Sequence, residues 1–346
     1  MENIKRFSFE ELLGFIRDEK EPDYRARQIW QWIYQKGVTS FDHMLNLSVS
    51  FRERLKDCFF ISCPTIDTIA AAEDGTKKLL ISLQDKIPSE SGAKIETVII
   101  PDKKRTTVCV STQIGCKQGC KFCLTGKAGF TRDLYAYEIC DQIALAQRCC
   151  KTRISNIVLM GMGEPLDNYE NTIQAIRIMT SSLGFSFSPK RITLSTVGLV
   201  PKIKKLYKEK LKIKLAISLN AATDAIRDDI MPINRKYPLS QLIECIRAYT
   251  LKTGERITLE YVLIGAINDS PVCAEQLVKL LRNLKIKINL IPYNKNPYLP
   301  FSPPETEAVM IFFNVLKKHN YHATIRESKG AEIFAACGQL GYLILI

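Results

Sequence analysis

A chain of 346 residues with 46% hydrophobic composition can bury the core of one large domain, or of a domain with a smaller appendage. No apolar run approaches the length needed to span a bilayer, and the charged, amphipathic start MENIKRFSFEELLGFIRDEK is unlike a signal peptide, which argues against membrane insertion or export. Lys and Arg total 49 against 36 for Asp and Glu, a net charge of +13 that points to a polyanionic partner, nucleic acid first, unless it reflects only a lysine-rich composition.

Residues 1–57 read as a helical unit. In YRARQIWQWIYQKG (24–37) Ile29, Ile33, Trp30 and Trp32 recur at helical spacing, and Gly37 is suited to closing the helix. Ser40 is the expected N-cap of the next helix, in SFDHMLNLSVSFRERLKD. Arg25, Arg27, Lys36, Arg52 and Arg54 give the unit a basic face that either meets RNA phosphates or is merely solvated. Residues 58–104 turn to short strands, a β extension in which GTKKLLISLQ and KIETVIIP form a hairpin-like pair interrupted by the polar DKIPSESG. Glu96 stands in the second of these among apolar neighbours, and such a carboxylate must be paired, solvated or functional.

From 105 to 346 the chain alternates. Apolar, β-branched runs appear as TTVCVST, SNIVLMG, RITLSTVG, IKLAISLN, RITLEYVLIG, KINLIPYN and HATIRE, with helical stretches such as AYEICDQIALAQRCC and SQLIECIRAYTLKTG between them. That alternation predicts an α/β fold of parallel strands covered by helices. Six or seven units are too few for a closed eight-stranded barrel, so an open, partial (β/α)6-type barrel is expected. Chemistry in such barrels sits where strands end. Those ends read Thr112-Gln113, Gly163-Glu164, Ser195-Thr196, Ser218-Leu219-Asn220 and Tyr293-Asn294.

The twelve cysteines, with no export signal, point to a reducing, cytoplasmic compartment. Cys58, Cys63, Cys140, Cys149, Cys150, Cys245 and Cys273 lack metal spacing and read as ordinary buried thiols. Cys116, Cys120 and Cys123 are different, a Cys-x3-Cys-x2-Cys loop following the first barrel strand. It can hold three corners of a cubane iron–sulfur cluster. A structural zinc would want a fourth ligand, with Cys109 or Cys140 as donors. The only histidines, His43, His319 and His322, are far from the loop in sequence, so a Ser-His-Asp hydrolase or a histidine-rich zinc enzyme is poorly supported. In GMGE the third glycine of a dinucleotide fingerprint is missing and Glu164 would repel phosphate. An acidic loop suits a cation instead.

The cysteine loop resembles that of the radical S-adenosylmethionine superfamily. The surrounding CVSTQIGCKQGCKFCLTGKAGF, MGMGEPLDNY, LSTVGLVP, IMPINRKYPL, LIPYN and AACGQL resemble the RlmN family, adenine-C2 methyltransferases of 23S ribosomal RNA and transfer RNA. The likeness runs from YRARQIWQWIYQKG to CGQL, nearly the whole chain. It implies one [4Fe-4S] cluster on Cys116, Cys120 and Cys123, with the fourth iron open to S-adenosylmethionine. It implies cofactor contacts from Gly163, Glu164, Ser195, Ser218, Leu219, Asn220 and Asn294. Where the family usually carries histidine after Ser-Leu, this chain has Asn220, which can replace a hydrogen bond but cannot titrate near neutral pH.

The resemblance also implies the chemistry. One S-adenosylmethionine methylates Cys337. A second is cleaved to a 5′-deoxyadenosyl radical that takes hydrogen from that methyl group, and the methylene radical adds to adenine carbon 2. Cys109 then resolves the protein–RNA adduct through a disulfide with Cys337, and Glu96 is the candidate base. The implied substrates are the peptidyl-transferase region of 23S rRNA and position 37 in the tRNA anticodon loop. An electron donor such as flavodoxin with its reductase, and a monomeric state, complete the expectation. Two readings stand beside it: the related Cfr-type carbon-8 methyltransferases, which use the same cysteines, and a zinc-stabilised RNA-binding module without catalysis.

Overall fold

Ten strands form one mixed sheet whose spatial order follows the chain, in a computed structural model that describes residues 1–83, 93–103 and 105–341. The segment DKIPSESG lies outside the described residues. The sheet strands are β1 (Thr65–Ala71), β2 (Lys77–Ser82), β3 (Lys94–Asp102), β4 (Arg105–Cys109), β5 (Asn156–Leu159), β6 (Ile192–Thr196), β7 (Lys214–Ser218), β8 (Ile257–Leu263), β9 (Ile286–Pro292) and β10 (Ala323–Ile325). From β4 to β10 every pairing is parallel. From β1 to β4 every pairing is antiparallel. The expected α/β partial barrel is therefore present, and the β extension is a three-stranded continuation of the same sheet. It also explains why the barrel stays open: the outer edge of β4 is already paired with β3, Val98 opposite Cys109.

Each parallel connection carries a helix, Ala136–Arg148, Tyr169–Thr180, Val200–Leu206, Leu239–Thr253, Pro271–Leu280 and Thr306–Lys318. Such a helix must bury one stripe. In Tyr169–Thr180 the residues Ile173, Ile176 and Met179 are buried against the sheet while Arg177 points outward. Each fully buried apolar side chain of this size stabilises the fold by roughly 1.5–3 kcal/mol. Because every crossover returns to the next strand, all seven parallel strands end on the same rim.

The N-terminal helices are Phe9–Asp18, Tyr24–Tyr34 and Val49–Cys58. Ser8 and Glu11 close a capping box at the first. The second ends at Tyr34, and Gly37, with φ +64, lies beyond the turn. Ser40 caps only the single turn Phe41–His43, and Ser48 caps the third helix by accepting from the Phe51 amide at 3.3 Å. The stretch between cannot continue as helix because it is tied to the second helix, Asn46 accepting from Trp32 Nε1 at 2.6 Å and from Arg25 Nη1 at 2.7 Å. The unit docks on the barrel through a buried ion pair, Lys5 Nζ to Asp141 at 2.7 Å, on the helix Ala136–Arg148.

Candidate active site

The cysteine loop starts just past β4, where Gln113–Gly115 pairs antiparallel with Phe130–Asp133. Gly115 is required there: at φ +76 a Cβ would lie 1.9 Å from the Gly129 carbonyl oxygen. The Cys116 amide donates to that same carbonyl at 2.7 Å, which closes residues 116–129 into a clasp. Burial pushes the Cys116 thiol up to about 12 and raises Cys120 and Cys123 as well; Cys116 and Cys120 also feel the charge of Cys123, and Cys123 that of Cys337. Among the described residues no three His, Cys, Asp or Glu groups converge to hold a single metal ion. Cys140, a candidate fourth ligand for a zinc ion, sits apart, its neighbours Asp141, Lys5 and the Ala175 carbonyl. Three soft thiols on one loop fit an iron–sulfur cluster, whose larger size spreads its ligands.

The loop walls a cavity of about 190 Å³ shared with the strand rim. Of the predicted residues, Cys109, Cys116, Cys120, Cys123, Gly163, Glu164, Ser195, Ser218, Asn220 and Cys337 all line it. Gly163 has φ +97, and a Cβ there would lie 2.6 Å from that of Gln113, so only glycine lets the chain pass. Glu164 is buried, which pushes its carboxyl up to about 7. Its two oxygens accept from the Val197 amide at 2.9 Å and the Leu166 amide at 3.1 Å, stitching the loops after β5 and β6 together. Asn220 sits at φ +58, and its side chain is engaged by the protein, Oδ1 accepting from the Val262 amide at 2.9 Å and Nδ2 meeting Met231 Sδ at 3.3 Å.

Leu219 and Asn294 are not in the cavity wall. Leu219 is core, acting through its backbone, which accepts from Arg227 Nε at 2.9 Å. Asn294 is adjacent to the lining residue Tyr293, and its Nδ2 is buried with no hydrogen-bond partner among the described residues.

Cys337 is exposed, yet it also lines the cavity. Its segment is held to the cysteine loop, the Leu124 amide donating to Gly338 O at 2.8 Å and Thr125 Oγ1 to Leu340 O at 2.7 Å. Cys109 is buried, which drives its thiol up to about 12, with the charge of Cys337 acting in the same direction. Both are free thiols, and no disulfide joins them in this structure.

Glu96 is fully buried but does not line the cavity. Its carboxylate lies 3.4 Å from Lys78 Nζ and accepts from the Gly341 amide at 2.8 Å, while Lys78 Nζ donates to Phe334 O at 3.1 Å. The ion pair therefore grips the Cys337 segment on both sides of the cysteine. The other expected buried thiols divide: Cys140, Cys245 and Cys273 are buried, Cys63, Cys149 and Cys150 partly so, and Cys58 is exposed at the end of its helix.

Several residues that shape the site escaped the sequence reading. Arg227 is buried and gathers the carbonyls of Val197, Ser218 and Leu219, fixing two strand ends. Glu260 and Arg326 line the cavity. A charged residue inside the apolar run ITLEYVL was the available signal, the same one that drew notice to Glu96. On the basic N-terminal face, Arg25, Arg52 and Arg54 are held by internal partners: Asn46 O, Asp42 O, and Glu19 with Glu21. Arg27 and Lys36 are exposed, with no side-chain hydrogen bond or ion pair among the described residues.

Known proteins bear on this arrangement. Residues 2–61 match the family described as the ribosomal RNA large subunit methyltransferase N-terminal domain, and residues 110–281 match the radical SAM superfamily. That superfamily implies a [4Fe-4S] cluster and S-adenosylmethionine. A dual-specificity RNA methyltransferase RlmN of Syntrophus aciditrophicus is 47% identical, covering 98% of this chain and 96% of that protein. Its counterpart in Geobacter sulfurreducens is 44% identical over 98% of this chain and 92% of its own length. A crystal structure of a radical SAM methyltransferase from Sphaerobacter thermophilus superposes with TM-score 0.92 and 41% identity over 99% of both chains. Identity of this degree along the whole length, joined to a three-cysteine loop that lines one cavity with Cys337, means that the chain belongs to the RlmN family of radical SAM RNA methyltransferases.

Proposed function

We propose that the protein methylates carbon 2 of adenosine in 23S ribosomal RNA and in transfer RNA, with Cys337 as the methyl carrier and two S-adenosylmethionine molecules used per turnover. The observation that carries this reading is the convergence of Cys337, Cys109 and the three-cysteine loop on one cavity. Adenine carbon 2 lies between two ring nitrogens and is too electron-poor to attack a methyl sulfonium as a nucleophile. The cluster, when bound by Cys116, Cys120 and Cys123, supplies the electron for radical cleavage of S-adenosylmethionine. Glu164 and the close backbone at Gly163 favour the cationic methionine end of that cofactor.

Cys337 holds the methyl carbon at its sulfur, so the link to RNA runs through this side chain. Cys109 then attacks that sulfur as a thiolate, and the disulfide forms as the sulfur–carbon bond breaks. The bond pair stays on the methylene carbon, a proton makes it the methyl group of the freed base, and an external thiol reduces the disulfide. Glu96, ion-paired with Lys78 and hydrogen-bonded to Gly341, is assigned to positioning the Cys337 segment. Arg27 and Lys36 of the N-terminal unit meet RNA phosphates. A monomer in the cytoplasm served by a flavodoxin-type donor completes the reading.

The test separates the two thiols. With labelled RNA on a denaturing gel, Cys109→Ala should stall as a covalent protein–RNA band, and Cys337→Ala should give none. A crosslink in Cys337→Ala, or normal turnover in Cys109→Ala, would overturn the assignment. Chromatography of the product nucleoside beside authentic 2-methyl- and 8-methyladenosine, which share one mass, decides against or for the carbon-8 alternative.

A further inference from the structure

Glu260, in β8, is buried, and it faces the cavity. Its Oε1 accepts from Asn289 Nδ2 of β9 at 3.0 Å, but Oε2 is buried with no hydrogen-bond partner among the described residues. A carboxylate oxygen left in that state calls for a donor from a ligand. Arg326, the first residue past β10, is fixed by its own amide on Leu290 O at 2.8 Å. Its guanidinium lines the cavity and makes no side-chain hydrogen bond among the described residues. Cys337 is the strongest electrostatic neighbour of Arg326, followed by Glu260 and then Cys109. Glu260 in turn feels Arg326 and no thiol. The cavity thus presents Cys337, Arg326 as a donor and the unpartnered Glu260 Oε2 as an acceptor, and of the two charged groups only Arg326 feels the thiols.

We propose that Arg326 and Glu260 read the Watson–Crick edge of the target adenine, Arg326 donating to N1 and Glu260 accepting from the N6 amino group. The order of atoms supports the assignment: starting from carbon 2, which must meet Cys337, the edge runs through N1 to the amino group on carbon 6. Guanine reverses both partners, setting its O6 against the carboxylate and its N1–H against the guanidinium, and so is rejected. An unstacked RNA base is recognised in this manner, by hydrogen bonds along its pairing edge. This inference rests on the adenosine methyltransferase reading above.

The test uses the cluster-loaded enzyme with short RNA hairpins carrying adenosine, nebularine (which lacks the amino group) or 1-deazaadenosine at the target position. The wild type should methylate adenosine with kcat/KM roughly 10- to 100-fold above nebularine, the cost of one charge-assisted hydrogen bond. Glu260→Ala should bring that ratio to within about threefold of unity, with Glu260→Gln between. Arg326→Gln should likewise erase the binding preference for adenosine over 1-deazaadenosine, read by competition. A ratio taken within one variant does not depend on its folded fraction. Equal use of adenosine and nebularine by the wild type overturns the proposal while leaving the methyltransferase reading intact, whereas no methyl transfer to any adenosine RNA overturns that reading itself. Weakened S-adenosylmethionine binding in Glu260→Ala with unchanged base discrimination assigns this edge to the cofactor and also overturns it.

Discussion

Replacing Lys78 by methionine removes the cation from a pair whose side chains are only 1% and 0% exposed. Lys78 lies opposite Val98 and Glu96 opposite Leu80 in the β2–β3 ladder, so the two are diagonal neighbours on one face, within reach of a long side chain. At 3.4 Å their attraction is about 5 kcal/mol at an effective dielectric constant near 20. Burial opposes it and lowers the Lys78 pKa. The net cost of breaking such a pair on one side is about 3–5 kcal/mol, because the remaining charge stays buried. Lys78→Met should therefore lose about that much stability in urea denaturation followed by circular dichroism. Lys78→Met with Glu96→Gln should lose less than the single variant, since no net charge is stranded. Phe334 O loses its donor in both, so amide exchange across 334–341 should accelerate more than in the N-terminal helices. Methylation of Cys337 should fall while iron content stays normal. A loss below about 1 kcal/mol with unchanged exchange at 334–341 would refute the argument that this pair holds the methyl-carrying segment.

Cys120→Ala should abolish iron content and S-adenosylmethionine cleavage together, checked by iron assay and 5′-deoxyadenosine release; full iron with cleavage would contradict the ligand assignment. In the metal-free protein, iodoacetamide at pH 8 should label exposed Cys337 and Cys58 and spare Cys109. With its thiol pushed up to about 12, Cys109 is thiolate in about one part in ten thousand at that pH; peptide mapping reads the result, and equal labelling would refute the burial argument. Arg27→Ala and Lys36→Ala should each lower the slope of log affinity for RNA against log salt by about 1. Arg54→Ala, which breaks pairs to Glu19 and Glu21, should leave that slope unchanged.

How much of this was legible beforehand depends on sequence distance. The seven parallel strands were readable because each lies in a short, largely apolar run with helical stretches between, a signal carried within a few residues. The cysteine loop was readable because its three thiols fall within residues 116–123, close enough for spacing alone to imply shared ligation. Ser40 and Ser48 show the limit of local reading, since either serine suits a cap and the cross-bonds from Trp32 and Arg25 to Asn46 chose between them. Cys337 and Cys109, 228 residues apart, read on pattern as two unrelated thiols, and only the resemblance singled them out. Glu96 was recognisable as a carboxylate needing a partner, but its partner depends on the register of two antiparallel strands, which places Lys78 on the same face. Glu260 and Arg326 gained meaning only when β8 and β10 carried them to the chamber that also receives Cys337. Hydrophobic periodicity and metal spacing are local properties, so the sequence by itself determined the barrel and the cluster loop. The pairing of charges within the fold is set by which strands and strand ends meet, and the tertiary structure alone decided it.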